Sequence, residues 1–83
     1  MGDLLLTGMD NILVTMGYVK LDIINLHSTV TQFKYQRGSD IVSLQLFHGD
    51  LYVMLSCFRG DDLRGTEAAE TINEFLNWLN EVN

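Results

Sequence analysis

Two short turn signals constrain this 83-residue chain more than any other feature of its sequence. Gly38-Ser39 and Gly49-Asp50 each place glycine first, as two-residue type II′ hairpin turns prefer. The first turn then pairs Phe33 with Leu44, and the second pairs Leu44 with Leu55. Because both turns independently place the same alternate residues of the shared strand on one face, a one-residue slip in either would break the agreement. The sequence therefore predicts three consecutive antiparallel strands of fixed register.

A fourth predicted strand precedes these three. A three-residue turn at Leu26-His27-Ser28 would add Val19, Leu21 and Ile23 to the same apolar face. Residues 18–58 are thus expected to form a four-stranded antiparallel meander, with strand 51–58 at the edge of the sheet.

Helical periodicity flanks the meander on both sides. Residues 3–16 place an apolar stripe on one face, Asp3 can cap the start, and Gly17 can take a left-handed conformation after the end. Residues 66–82 carry a second stripe, and Thr66 is the expected N-cap. The two stripes consist of Leu5, Leu6, Met9, Ile12, Leu13 and Met16, and of Ala68, Ile72, Phe75, Leu76 and Leu79.

The predicted fold is of the α+β class, with residues 1–83 forming one compact domain. A four-stranded antiparallel meander would carry an N-terminal and a C-terminal helix on its aliphatic face. This order of elements resembles that of a double-stranded-RNA-binding domain with one added strand. The resemblance is confined to the order, because the chain lacks the basic residues with which that module binds RNA.

The formal net charge of −6 argues against direct binding to nucleic acid, because phosphate contacts require Lys and Arg. The five cations are scattered along the sequence, and a basic protein surface is the natural complement of the chain. No stretch approaches the ~18 apolar residues of a transmembrane helix. A single cysteine provides no disulfide framework and favours a reducing compartment. We therefore expect a cytoplasmic protein, in the host-cell cytoplasm if it is virus-encoded, that does not bind a membrane.

The residues that most often carry catalysis or bind metals form no recognisable arrangement. His27 and His48 lie in separate predicted turns, and neither has a cysteine or acid at metal-ligand spacing. Cys57 falls on the predicted core face, which favours a buried structural thiol over a nucleophile. No phosphate-binding glycine motif occurs. The sequence therefore predicts a non-enzymatic protein without a metal or cofactor.

One candidate interface is the predicted back face of the sheet, on the side away from the helices. Its last two strands place large apolar residues here, and strand 51–58 is therefore apolar on both faces. An apolar edge strand left exposed would promote aggregation, so a second subunit or a partner is expected to cover it. The residues of this apolar interface are Ile41, Phe47, Tyr52, Met54 and Phe58.

The other candidate interface is the predicted final helix. On a helical wheel its glutamates fall opposite the core stripe, and no Lys or Arg lies on the helix to pair with them. Trp78 borders this acidic arc and is the expected apolar anchor. The candidate partner-binding residues are Asp61, Asp62, Glu67, Glu70, Glu74 and Trp78.

These two surfaces lead to two hypotheses for the function. In the first, an acidic inhibitor resembles a nucleic-acid backbone and blocks the basic groove of a nucleic-acid-binding protein. Small acidic anti-CRISPR and anti-restriction proteins of phages and mobile elements offer an analogy in size and charge. In the second, a homodimeric adaptor or chaperone-like module binds a peptide or partner through the apolar edge strand and sheet face.

Overall fold

The computed structural model describes residues 2–27, 30–47 and 52–82. Within them, two helices and five strands follow in the order α1 (Gly2–Thr15), β1 (Val19–His27), β2 (Val30–Arg37), β3 (Asp40–Phe47), β4 (Val53–Arg59), β5 (Asp62–Ala69) and α2 (Ile72–Val82). The strands form one antiparallel sheet in chain order. The α+β class and the antiparallel meander are confirmed, whereas the predicted number of strands is one too low.

The register derived from the two turn signals is confirmed. Phe33 lies opposite Leu44, and Leu44 lies opposite Leu55. Gly38 has a φ of +62°, the positive value that a type II′ turn requires at its first position. The Gly49-Asp50 turn itself and the neighbouring His48 lie outside the described residues.

Both helices pack on the same face of the sheet. Side chains from α1, α2 and strands β2 to β5 form one continuous core, in which the central strands β3 and β4 contribute alternate residues. The buried hydrophobic side chains are Met9, Leu13, Tyr18, Tyr35, Val42, Leu44, Leu46, Val53, Leu55, Cys57, Ala69, Phe75, Trp78, Leu79 and Val82. None of the helices in the described part of the chain is long and apolar enough to cross a membrane.

The main correction concerns residues 60–71. The sequence predicts a helix that begins at Thr66, but β5 runs to Ala69 and α2 begins only at Ile72. The first six residues of the predicted helix, 66–71, are therefore assigned wrongly. Gly60 has a φ of +62° and begins a third two-residue turn, which folds β5 back onto β4. Residues such as Glu67 favour a helix locally, but pairing with β4 prevails over this weak preference. The prediction that strand 51–58 lies at the sheet edge is therefore wrong.

The predicted inward face of β1 is wrong at the start of the strand. The register is irregular between Lys20 and Ile23, and Lys20 lies opposite Tyr35 on the helix side. Val19, Leu21 and Ile23 are 64%, 38% and 54% exposed, so they lie outside the core. The irregularity offsets the two halves of β1 by one residue, so Val19 lies opposite Gln36 on the face away from the helices, whereas Ile23 lies opposite Phe33 on the helix side as predicted.

Candidate protein-binding surfaces

Most of the negative charge lies in the last quarter of the chain. Residues 60–83 contain six of the eleven acidic residues but only one of the five cations, Arg64. This segment therefore carries five of the six net negative charges. The structure folds it along one side of the molecule, as edge strand β5 and the helix α2 that follows it. The fold thus concentrates the charge on one side.

The sequence predicts that the glutamates share a single helix, but the structure divides the acidic residues between a turn, a strand and a helix. Asp61 lies in the turn before β5, Asp62 begins the strand, Glu67 lies within it, and Glu70 follows its end. Glu81 lies in the last turn of α2. All five are exposed, and together they are termed the acidic edge.

Glu74 has a structural role that the sequence interpretation missed. One of its carboxylate oxygens accepts hydrogen bonds from the Glu70 N–H and the Thr71 hydroxyl, both at 3.2 Å. The N–H of Glu74 in turn donates to Thr71 Oγ1 at 3.2 Å. This exchange is a variant of the capping box, so Thr71 rather than Thr66 caps α2. Glu74 is exposed like its acidic neighbours, but its carboxylate also holds the start of the helix.

Trp78 does not lie on the binding surface that the sequence predicts. Its side chain is only 2% exposed, and its ring stacks on Phe75 with the centroids 6.3 Å apart. Gly65 makes room for α2, because a Cβ there would come within 2.8 Å of Val82 and 3.6 Å of Trp78 Nε1. The tryptophan therefore belongs to the contact between α2 and β5, and we remove it from the candidate interface.

Arg37 and Arg59 are engaged in contacts with the rest of the chain. Arg59 pairs with Asp40 at 2.8 Å, and this hydrogen bond lowers the pKa of the Asp40 carboxyl. Arg37 donates to the Met16 carbonyl at 3.0 Å and lies over the ring of Tyr18. The charges of Arg59, Arg37 and Arg64 all help to lower the pKa of Asp40. Three cations that are scattered in the sequence therefore lie near one end of the sheet. These contacts leave the acidic edge with little internal compensation.

A polar cluster of Asp10, Lys20 and Tyr35 connects α1 to the first two strands. The buried Tyr35 hydroxyl donates to Asp10 Oδ1 at 2.6 Å, and Lys20 Nζ lies 3.1 Å from the same oxygen. The Tyr35 bond is the main cause that lowers the pKa of Asp10. Burial, and then the bond to Asp10, raises the pKa of Tyr35 well above its ordinary value. A hydroxyl so hard to ionise is suited to holding α1 in place rather than to proton transfer.

This cluster predicts an acid-sensitive contribution to stability. Since folding lowers the pKa of Asp10, its contribution is full above the unfolded value of about 4 and is lost as pH falls through the folded value. Tyr35→Phe should therefore lower the melting temperature clearly at about pH 7 and less at about pH 3. Tyr52→Phe is the control, because Tyr52 has no acidic partner among the described residues. An equal loss at both pH values for Tyr35→Phe would contradict the assignment.

The sheet face away from the helices, termed the open face, has no helix packed on it in the described structure. All five residues of the predicted apolar interface lie here, and all are half-buried. The rings of Phe47 and Tyr52 contact each other, with centroids 6.3 Å apart. The sequence therefore assigned these residues to the correct face, although β4 is an interior strand.

Pairing across the strands arranges the open face in rows. One row contains Gln36, Ile41, Phe58 and Leu63, and the next contains Lys34, Ser43, Ser56 and Thr66. A third row contains Gln32, Gln45, Met54 and Ala68. No acidic side chain occurs in these rows, although the chain as a whole carries a charge of −6. Depletion of charge around apolar side chains is typical of the centre of a protein interface.

The described residues contain no group of three His, Cys, Asp or Glu side chains placed to hold a metal ion. Cys57 is buried, and burial raises the pKa of its thiol above the ordinary value. Its thiolate form is correspondingly disfavoured. Comparisons of the chain with protein-family models, curated proteins and solved structures find no match.

Proposed function

We propose that this chain is a small, non-catalytic inhibitor whose acidic edge occupies the basic groove of a nucleic-acid-binding protein. The observation that carries the proposal is the concentration of five of the six net charges within residues 60–83, exposed along one side. A basic groove evolved to bind phosphates attracts such a surface from a distance and orients it on approach. The inhibitor would work in the cytoplasm, where the free thiol of Cys57 remains reduced.

The acidic edge can be compared with a nucleic-acid strand by its charge per unit length. β5 advances by about 3.4 Å per residue, so the side of the molecule from Asp62 to Glu70 is roughly 27 Å long. Three carboxylates, those of Asp62, Glu67 and Glu70, lie along this length and give about one charge per 9 Å. Each strand of B-DNA carries one phosphate per about 3.4 Å. The acidic edge thus carries less than half the charge of one strand per unit length, and its attraction to a basic groove depends on its net charge rather than on matched phosphate spacing.

The proposal is tested with a basic protein recovered on the immobilised chain from a source-cell lysate. The purified partner is titrated with the chain at about 50 mM and about 500 mM salt, and separately with DNA in the presence of the chain. We expect affinity to fall steeply with salt and DNA binding by the partner to be lost. A partner that still binds DNA within the complex would refute the proposal.

The open face favours a second function, an adaptor that pairs with another copy of itself. Five strands about 4.8 Å apart and about 25 Å long offer roughly 600 Å² per copy, or about 1,200 Å² in all. This area reaches the lower limit of stable interfaces. The acid-free rows would allow two copies to approach despite their like net charge.

We expect Tyr52→Lys combined with Phe58→Lys to shift the mass measured by light scattering from dimer toward monomer. The reason is that each copy would then place two uncompensated ammonium groups in the centre of the apolar contact. Val14→Lys is the matched control, because Val14 is 52% exposed on α1, on the other side of the sheet. A wild-type chain that is monomeric at high micromolar concentration would exclude self-association.

A further inference from the structure

A groove runs across the strands of the open face. Its floor is formed by small residues of the second row, Ser43 and Ser56, and its apolar wall by Ile41 and Phe58 of the first row. The groove has a volume of about 380 Å³, within the range of small-molecule sites. The small serines between rows of larger side chains explain why a groove exists at this position.

Hydrogen-bond donors converge on this groove. The Gln32 amide donates to Ser43 Oγ at 2.7 Å, so the Ser43 hydroxyl has its own proton available to donate. Ser43 is only 6% exposed, and it lines the groove together with the hydroxyl of Ser56. Lys34 lies beside Ser43 at the β2 end and forms no ion pair with any side chain that the structure describes. The polar side chains of the site are thus a cation, two hydroxyls and the amide of Gln32.

We propose that this groove binds a small carboxylate with an aliphatic body. The carboxylate would accept hydrogen bonds from Lys34 and Ser43, and the aliphatic chain would lie past Ser56 along Ile41 and Phe58. Three neighbouring strands spaced at about 4.8 Å make the floor roughly 10 Å long, which suits a medium-length chain. The inference is independent of the proposed inhibitor function, because the acidic edge takes no part in the groove, whereas self-association through the open face would compete with it for Ile41 and Phe58.

Octanoate is the probe, and its uncharged amide, octanamide, is the matched control ligand. In a titration of the isotope-labelled chain followed by NMR, we expect octanoate to shift the backbone signals that surround the groove, and to do so saturably. These signals belong to Ile41, Ser43, Ser56, Phe58 and Gly60. Octanamide should bind at least about tenfold more weakly, because a hydrogen bond to a charged group is stronger than one to a neutral group.

Lys34→Gln should weaken octanoate binding by about tenfold and bring it close to the affinity of octanamide. Arg64→Gln, which removes a cation outside the groove, should leave octanoate binding unchanged. Absence of saturable shifts up to millimolar octanoate, or shifts spread over the whole surface, would overturn the site. Equal affinities for octanoate and octanamide, or no effect of Lys34→Gln, would overturn the assignment of a carboxylate ligand.

Discussion

Leu44→Ala is expected to lower the free energy of unfolding by about 2–5 kcal/mol, as truncation of a fully buried leucine does. Leu44 is 0% exposed at the centre of β3, between Phe33 on β2 and Leu55 on β4. Removing its branched end would leave a cavity bordered by neighbouring strands whose register restricts collapse. The loss is measured by urea denaturation followed by circular dichroism.

The control for this prediction is Lys34→Ala. Lys34 lies one residue from Phe33 along β2 but on the open face, and truncating its half-buried side chain should cost well under 1 kcal/mol. The two variants thus compare the two faces of the same sheet at neighbouring positions. Similar losses for Leu44→Ala and Lys34→Ala would mean that the faces are assigned wrongly.

The central part of the sheet could be predicted because two turns constrain the same strand independently. The agreement between Gly38-Ser39 and Gly49-Asp50 fixed the pairing of β2, β3 and β4 and placed Leu44 in the core. The same register also implied the row of Lys34, Ser43 and Ser56 that underlies the groove. The sequence alone does not identify this row as a binding site, because small polar residues on a strand normally indicate nothing more than a solvated face.

The edges of the sheet could not be predicted in the same way. β5 lacks alternating apolar residues, and Glu67 favours a helix when only local preferences are considered. Gly60-Asp61 repeats the glycine-first turn signal, but no apolar pattern follows it to confirm a register. In β1 an irregularity after Lys20 puts Val19 and Lys20 on the faces opposite to those expected, and no local pattern in the sequence marks it.

The error at β5 changed the candidate site more than the fold. A helix that began at Thr66 would place the glutamates and Trp78 on adjacent faces of the same helix. With β5 in place, the acidic residues divide between a strand and a helix, while Trp78 turns inward to meet Gly65. The acidic character of this side therefore survives the correction, whereas its expected apolar anchor does not.

Reversing Asp62, Glu67 and Glu70 to lysine together is expected to abolish binding to a basic partner. Each reversal replaces an attraction of about 1 kcal/mol with a repulsion of similar size, so three should reduce affinity at low salt by about 1,000-fold or more. The melting temperature should change little, because isolated exposed charges contribute only fractions of a kcal/mol to folding. The measurement is a titration of the recovered partner at low and high salt, with the melting temperature recorded for each variant.

Glu74→Gln separates recognition from stability in the same experiment. It neutralises the carboxylate that accepts hydrogen bonds from the Glu70 N–H and the Thr71 hydroxyl, so it should lower the free energy of unfolding by about 0.5–1 kcal/mol. Affinity should fall only slightly, since most of the acidic charge along this side remains. The triple lysine variant should show the opposite pattern, with lost binding and preserved folding. If that variant binds like the wild type at both salt concentrations, the acidic edge is only a solvated surface and the open face becomes the better candidate.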